Sequence, residues 1–212
     1  DAAGLFSRAA DTFARTALGP NSSERWRAIA NLGWAHLKLK QVPQARRELT
    51  EAVAKIEQLA GPESYELRLP LKELGETLTA AGATAEAVAT LERVHRLEGK
   101  LFGTFQHSEV AGTDLLLSQA YLARGAAGDR PAARRSLNEA IGIFTRKAAK
   151  DLLYGKVLLE SGKLALAEGD HARAHREAAA ALEILLAHVA PTHEKVAEAR
   201  RLLEMAGEKE GT

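Results

Sequence analysis

Leu71-Lys72-Glu73-Leu74-Gly75-Glu76-Thr77-Leu78, followed by Ala87-Val88-Ala89-Thr90-Leu91-Glu92-Arg93-Val94, decides the fold. Leu71, Leu74, Gly75 and Leu78 fall at steps of three, one and three, which puts them on one face of an α-helix. Ala87, Leu91 and Val94 do the same in the second segment. The stretch therefore reads as two amphipathic helices, with small residues where they cross and large ones between.

The same text recurs along the chain. Ile29-x-x-Leu32-Gly33-x-x-His36 precedes Ala45-x-x-x-Leu49-x-x-Ala52. Leu117-Ser118-x-x-Tyr121 precedes Ala133-x-x-x-Leu137-x-x-Ala140, and Leu158-x-x-x-Gly162-x-x-Ala165 precedes Ala174-x-x-x-Ala178-x-x-Ala181. The interval from Gly33 to Ala45 is repeated from Gly75 to Ala87 and from Gly162 to Ala174, whereas Ser118 stands almost a helical turn farther from Ala133. The stretch Gly125-Ala126-Ala127-Gly128 accounts for that difference as an insertion in the turn. Breakers punctuate the units. Gly19-Pro20, Gly61-Pro62 and Gly103-Thr104 recur at one constant interval, and Gly followed by Pro stops a helix.

A large-x-x-Leu-Gly-x-x-Tyr helix followed by an Ala-x-x-x-large-x-x-Ala helix resembles the tetratricopeptide repeat family. The longer 42-residue form is similar to the repeats of kinesin light chains and of bacterial regulatory proteins. The resemblance implies an all-α fold, an α-solenoid of antiparallel helix pairs wound as a right-handed superhelix, with nine to ten helices and no β-sheet. Departures mark the third and fourth units: Asp114 stands at a large apolar position, Ser118 replaces the glycine and Ser161 replaces a leucine.

Residues 1–16 match only the second helix of a unit, since Ala3 and Ala10 precede Ala45 and Ala52 by the repeat length. They are expected to be the remainder of a truncated repeat whose chain extends upstream. Residues 17–190 hold four helix pairs. Residues 191–206 read as a capping helix with Thr192 as N-cap, and 207–212 as a polar, disordered tail. The apolar face of Leu5, Phe6, Ala9 and Phe13 leads to an expectation of self-association through this end.

Composition narrows the function classes. No run of apolar residues is long enough to span a membrane. There is no cysteine, hence no thiolate chemistry and no cysteine zinc site. A net charge of +1 gives no electrostatic reason for a nucleic-acid partner. No phosphate loop, nucleophile elbow or zinc-protease signature occurs. The chain is expected to carry no cofactor and no metal, to be no enzyme, and to work in the cytoplasm. His171 and His175 lie four apart on a helix but have no third ligand, so they read as surface residues. Arg46-Arg47, Arg134-Arg135 and Arg200-Arg201 each follow an inward alanine and are expected on outer faces. His36 occupies the family's tyrosine position and reads as a packed histidine.

In stacked helix pairs the first helix of each pair lines the inside of the curve. One residue beyond the core stripe is a rotation of about 100°, which places Ala30, Trp34 and Leu37 on a groove-facing stripe. The same offset gives Lys72, Glu76 and Thr79, then Leu115, Gln119 and Leu122, then Leu159, Lys163 and Leu166. Asn31, Glu73 and Glu160 flank them. Family members that grip a C-terminal carboxylate use a Lys, Asn and Arg set, which this chain lacks. The expected partner is therefore a peptide or helix bound through apolar anchors, foremost Trp34, with Ala30, Asn31, Lys72, Glu76, Gln119 and Lys163 around it. The leading reading is a protein-binding scaffold or adaptor. The alternative is a C-terminal sensory region of a bacterial Ser/Thr kinase or transcription regulator.

Overall fold

Helices form where the three-and-four spacing runs. A computed structural model describes residues 2–15, 22–147 and 150–207. Among them are ten α-helices: α1 (Ala2–Arg15), α2 (Ser23–Lys38), α3 (Val42–Ala60), α4 (Arg68–Ala80), α5 (Thr84–Phe102), α6 (Ser108–Arg124), α7 (Asp129–Lys147), α8 (Leu152–Ala167), α9 (His171–His188) and α10 (Glu194–Gly207). A 3-10 turn, Tyr65–Leu67, leads into α4. No strand occurs among the described residues. No helix among them is long and apolar enough to cross a membrane. The Gly19-Pro20 break and the tail beyond Gly207 lie outside the described residues.

The termini of these helices follow from local chemistry. Ser22 Oγ accepts from the Arg25 amide at 3.3 Å, Asp151 Oδ1 from Tyr154 at 3.0 Å, and Asp170 Oδ1 from Arg173 at 3.0 Å. Each satisfies an amide that the first helical turn leaves without a partner. The turns inside three pairs share one motif. Lys40, Gly82 and Gly169 have positive φ, and the next residue donates back to His36, Leu78 or Ala165. Two of the three turns use glycine for this left-handed residue, and the first holds Lys40 there at φ 61°. At the last helix the expected cap is displaced: α10 begins at Glu194, and the Lys195 amide donates to His193 Nδ1 at 3.1 Å, so His193 and not Thr192 takes that place.

The chain divides into two compact units, Asp1–Phe105 with Gln119–Ala126, and Gln106–Ser118 with Ala127–Thr212. In the first unit α2 packs on α1, α3 and α4, and α4 packs on α3 and α5. The crossings are as close as the small residues suggest. A Cβ on Gly33 would stand 2.8 Å from Leu49 Cγ, and one on Gly75 2.5 Å from Leu91 Cγ. Ala45, whose carbonyl would stand 3.4 Å from a Cβ on Gly33, and Ala87 are both fully buried. Replacing Ala87 by leucine should therefore lower stability by about 1–3 kcal/mol through overpacking. A thermal melt superimposable on the wild type would refute the crossing.

In the second unit α8 packs on α7, α9 and α10. A Cβ on Gly162 would meet Leu202 Cδ2 at 3.0 Å and the Ala174 carbonyl at 3.4 Å. Ser161, which replaces a repeat leucine, is buried and hydrogen-bonded. Its Oγ accepts from Arg134 Nη1 at 3.0 Å and from Arg173 Nη2 at 3.3 Å. Arg134 also donates to the Ser161 carbonyl and to Glu168, and Arg173 to Asn138 and Glu177. The expectation that Arg134 lies on an outer, solvated face does not hold. Its side chain is 13% exposed, because the hydroxyl opposite draws the guanidinium inward where a leucine would have excluded it.

Candidate functional site

On α2 the residues open to solvent are Glu24, Arg27, Asn31, Trp34 and Lys38, at steps of three and four. They define one narrow strip, because α1, α3 and α4 cover the rest of the helix. Trp34 is 38% exposed, the largest apolar side chain on that strip. Ala30, expected beside it, is 1% exposed and presents no surface to a ligand. Leu37 is buried with it. Each lies one residue, a rotation of about 100°, from the open positions Asn31 and Lys38, on the side the neighbouring helices occupy.

The strip continues onto α4. Lys38 Nζ donates to Glu76 Oε1 at 2.7 Å and lies 5.7 Å from the centre of the Trp34 ring. Leu69 is 49% exposed one helical turn before Glu73. Burial raises the Glu73 carboxyl to about 8, the nearby Glu76 adds to the rise, and Lys38 opposes it. Glu73 Oε2 is buried with no hydrogen-bond partner.

Lys72 is not on this strip. Its ammonium points inward to Glu98 Oε1 at 3.3 Å, where the Arg68 guanidinium also reaches the same oxygen at 3.4 Å. Glu98 is fully buried, and the rings of Tyr65 and Phe102 lie 5.3 and 5.9 Å from the Arg68 guanidinium. The placement of Lys72 in the groove lining is thus corrected, because a buried carboxylate on α5 recruits it into the interior. His36 is packed as its position suggests: its Nδ1 lies 2.6 Å from Glu48 Oε2 and its Nε2 3.3 Å from Gln44 Nε2, tying α2 to α3.

Gln119 is half-buried on α6 and belongs to the first unit. Among the other α6 and α8 positions on the expected stripe, Leu115 and Leu159 are buried, so neither is open to a ligand. Lys163, in the second unit, is held between Glu160 Oε1 at 2.9 Å and Glu198 Oε2 at 2.5 Å. Burial lowers the Lys163 ammonium, but Glu160 and Glu198 outweigh it and the net shift is upward. Burial likewise raises Glu198, and hydrogen bonds from Lys163 and Lys195 reverse that to a net fall. His171 and His175 are half-buried on α9.

Asn31, Trp34 and Glu76 thus share one open face of the first unit. Sequence reasoning missed Lys38 and Leu69 there. Their signal was available, since Lys38 follows Trp34 by one turn and Leu69 precedes Glu73 by one turn.

No family model matches the chain, and no curated protein matches it. Solved structures do. The crystal structure of BtubC from P. vanneervenii aligns over 99% of this chain and 83% of its own, with TM-score 0.76 and 17% identity. A putative kinesin light chain of Podosopora anserina with nearly identical TPR-like repeats aligns over 88% of this chain and 87% of its own, with TM-score 0.71 and 21% identity. A point variant of that protein aligns equally well. The fold of this chain is that of TPR-like repeat proteins.

Proposed function

We propose that the chain is a protein-interaction module that binds a peptide or helix on the open face of α2 and α4 in its first unit. The observation that carries this reading is Trp34, an exposed tryptophan on the α2 strip beside the Lys38–Glu76 pair. Tryptophan combines a large apolar area with few rotatable bonds, which is why it dominates the energetics of many interfaces. The polar groups around it supply orientation. Arg46, on α3, is paired with Glu86 at 3.1 Å and lies outside the proposed surface.

Peptides selected from a displayed random library supply the probes for a titration. Trp34→Ala should weaken binding by roughly 2 kcal/mol, about thirtyfold, while Arg46→Ala should leave it unchanged. Loss of binding in Arg46→Ala with retention in Trp34→Ala would move the site to the other face.

Self-association through α1 belongs to the same proposal. Leu5 is 57% exposed, and Phe6, Ala9 and Phe13 line an open cavity of about 280 Å³ with Glu24, Arg27 and Asn31. Exposed apolar surface of this kind favours burial against another surface. Sedimentation velocity should show association that rises with concentration and is reduced by Leu5→Glu; a monomer at every concentration would reject it.

A further inference from the structure

The polar groups around Trp34 specify more than a peptide. On α4 and the turn before it, Glu66, Leu69, Glu73, Glu76 and Ala80 follow one another at steps of three and four, so they share a side of the helix. That side carries three carboxyls and no cation of its own, because Lys72 and Arg68 turn inward to Glu98. The cation that reaches it, Lys38, comes from α2 and bonds Glu76. Glu66 Oε2 and Glu73 Oε2 are both buried without a hydrogen-bond partner.

Lys38 also shows what the place accepts. Its ammonium is 2.7 Å from a Glu76 oxygen and lies over the Trp34 ring, where the negative π-face attracts a cation. The Lys38 side chain is 47% exposed, so it is a displaceable occupant. Glu73, next to Glu76, is desolvated enough to keep its proton at neutral pH despite the pull of Lys38. A basic side chain seated beside it would favour the ionised form.

We infer that the open face of α2 and α4 recognises a basic peptide segment, with a lysine or arginine seated against Trp34, Glu73 and Glu76 in place of Lys38. This rests on the interaction-module reading and names the chemistry of its partner. From Glu66 to Glu73 is two helical turns, a rise of roughly 10 Å. An extended strand covers that distance in about three residues. Two basic residues three apart, with an apolar residue between them for Leu69, match the face. An acidic segment does not, since it would set a like charge against the Glu76 carboxylate.

The test is a fluorescence-anisotropy titration of the full chain with two labelled peptides, one repeating Arg-Leu-Gly and one repeating Glu-Leu-Gly. The arginine peptide should bind at least tenfold more tightly. The pair of substitutions Glu73→Gln and Glu76→Gln, nearly isosteric and checked for unchanged helicity, should weaken it tenfold or more. Trp34→Ala should weaken it as well. Lys38→Ala should tighten it several-fold, because the competing ammonium is gone; a purely structural Lys38 would give no tightening. Equal binding of the glutamate peptide, with the same dependence on Trp34, would overturn the basic-partner inference and leave the interaction surface standing. Arginine-peptide binding indifferent to all four substitutions would overturn the inference by placing the contact elsewhere. Failure of both peptides, where library-selected peptides do bind through Trp34, would likewise sink the inference alone. Failure of the selected peptides too would sink the reading beneath it.

Discussion

Replacing Glu98 by alanine should remove about 3–5 kcal/mol of stability from the first unit. Glu98 is fully buried on α5, and it is the carboxylate toward which Arg68 and Lys72 of α4 converge. Taking these groups out of water is costly, and their mutual attraction offsets that only while the set is complete. Alanine removes the negative charge and leaves a guanidinium and an ammonium close together in the interior. Urea denaturation should show a lower midpoint with an unchanged slope. Lys72→Glu should also destabilise, by setting two carboxylates against each other, so a loss of binding in that variant would report on folding and not on the peptide surface. A midpoint in Glu98→Ala within experimental error of the wild type would mean that the cluster contributes nothing to α4–α5 packing.

The second large effect is a dependence of stability on pH governed by Glu73. Its carboxyl is raised from 4.5 to about 8, by burial first and by Glu76 second. The folded chain therefore holds this proton more tightly than the unfolded chain does. Between those two values the folded state binds more protons, so stability falls as pH rises, and the penalty is complete once pH exceeds the folded value. At about 1.36 kcal/mol for each unit, the loss between pH 5.5 and pH 8.5 comes to about 3 kcal/mol. Glu73→Gln should abolish that slope and leave the variant more stable than the wild type at pH 8.5. Two other shifted groups act outside this window. Glu198, lowered, adds stability that is lost on acidification below the ordinary carboxylate value, and Lys163, raised, adds stability lost only above the ordinary lysine value. A wild-type midpoint flat from pH 5.5 to 8.5, or a slope that persists in Glu73→Gln, would show that the carboxyl is not held neutral.

Much of the helical framework was legible because it depends on local spacing. Gly33, Gly75 and Gly162 each precede an alanine of the next helix by the same interval, which announces close crossings. In the structure each of these glycines lies against a leucine from a neighbouring helix. The surface was harder. A helical wheel ranks positions around an axis, but which flank stays open depends on where other helices lie. Ala30 and Asn31 are adjacent in sequence, yet one is covered and the other open to solvent. Lys72 and Arg134 read as solvated cations for a related reason. Their partners, Glu98 and Ser161, stand far along the chain on other helices, and nothing in the local pattern announces them. Ser161 was visible as a departure from the repeat. Its use as an acceptor for two arginines was not, because a lone serine does not reveal its donors.

The glycine–leucine contacts have a bearing on how such a chain can change over time. Leu91 occupies the space that a side chain at position 75 would need, and Leu49 does the same for position 33. Enlarging the glycine is tolerable only if the leucine shrinks in the same lineage, so the two sites drift as one character although they sit on different helices. Repeats that have settled on different volume combinations can no longer exchange helices without a clash or a void. The first two pairs still share the glycine–leucine combination, so by this contact alone their helices remain interchangeable; coupled changes at one pair would end that.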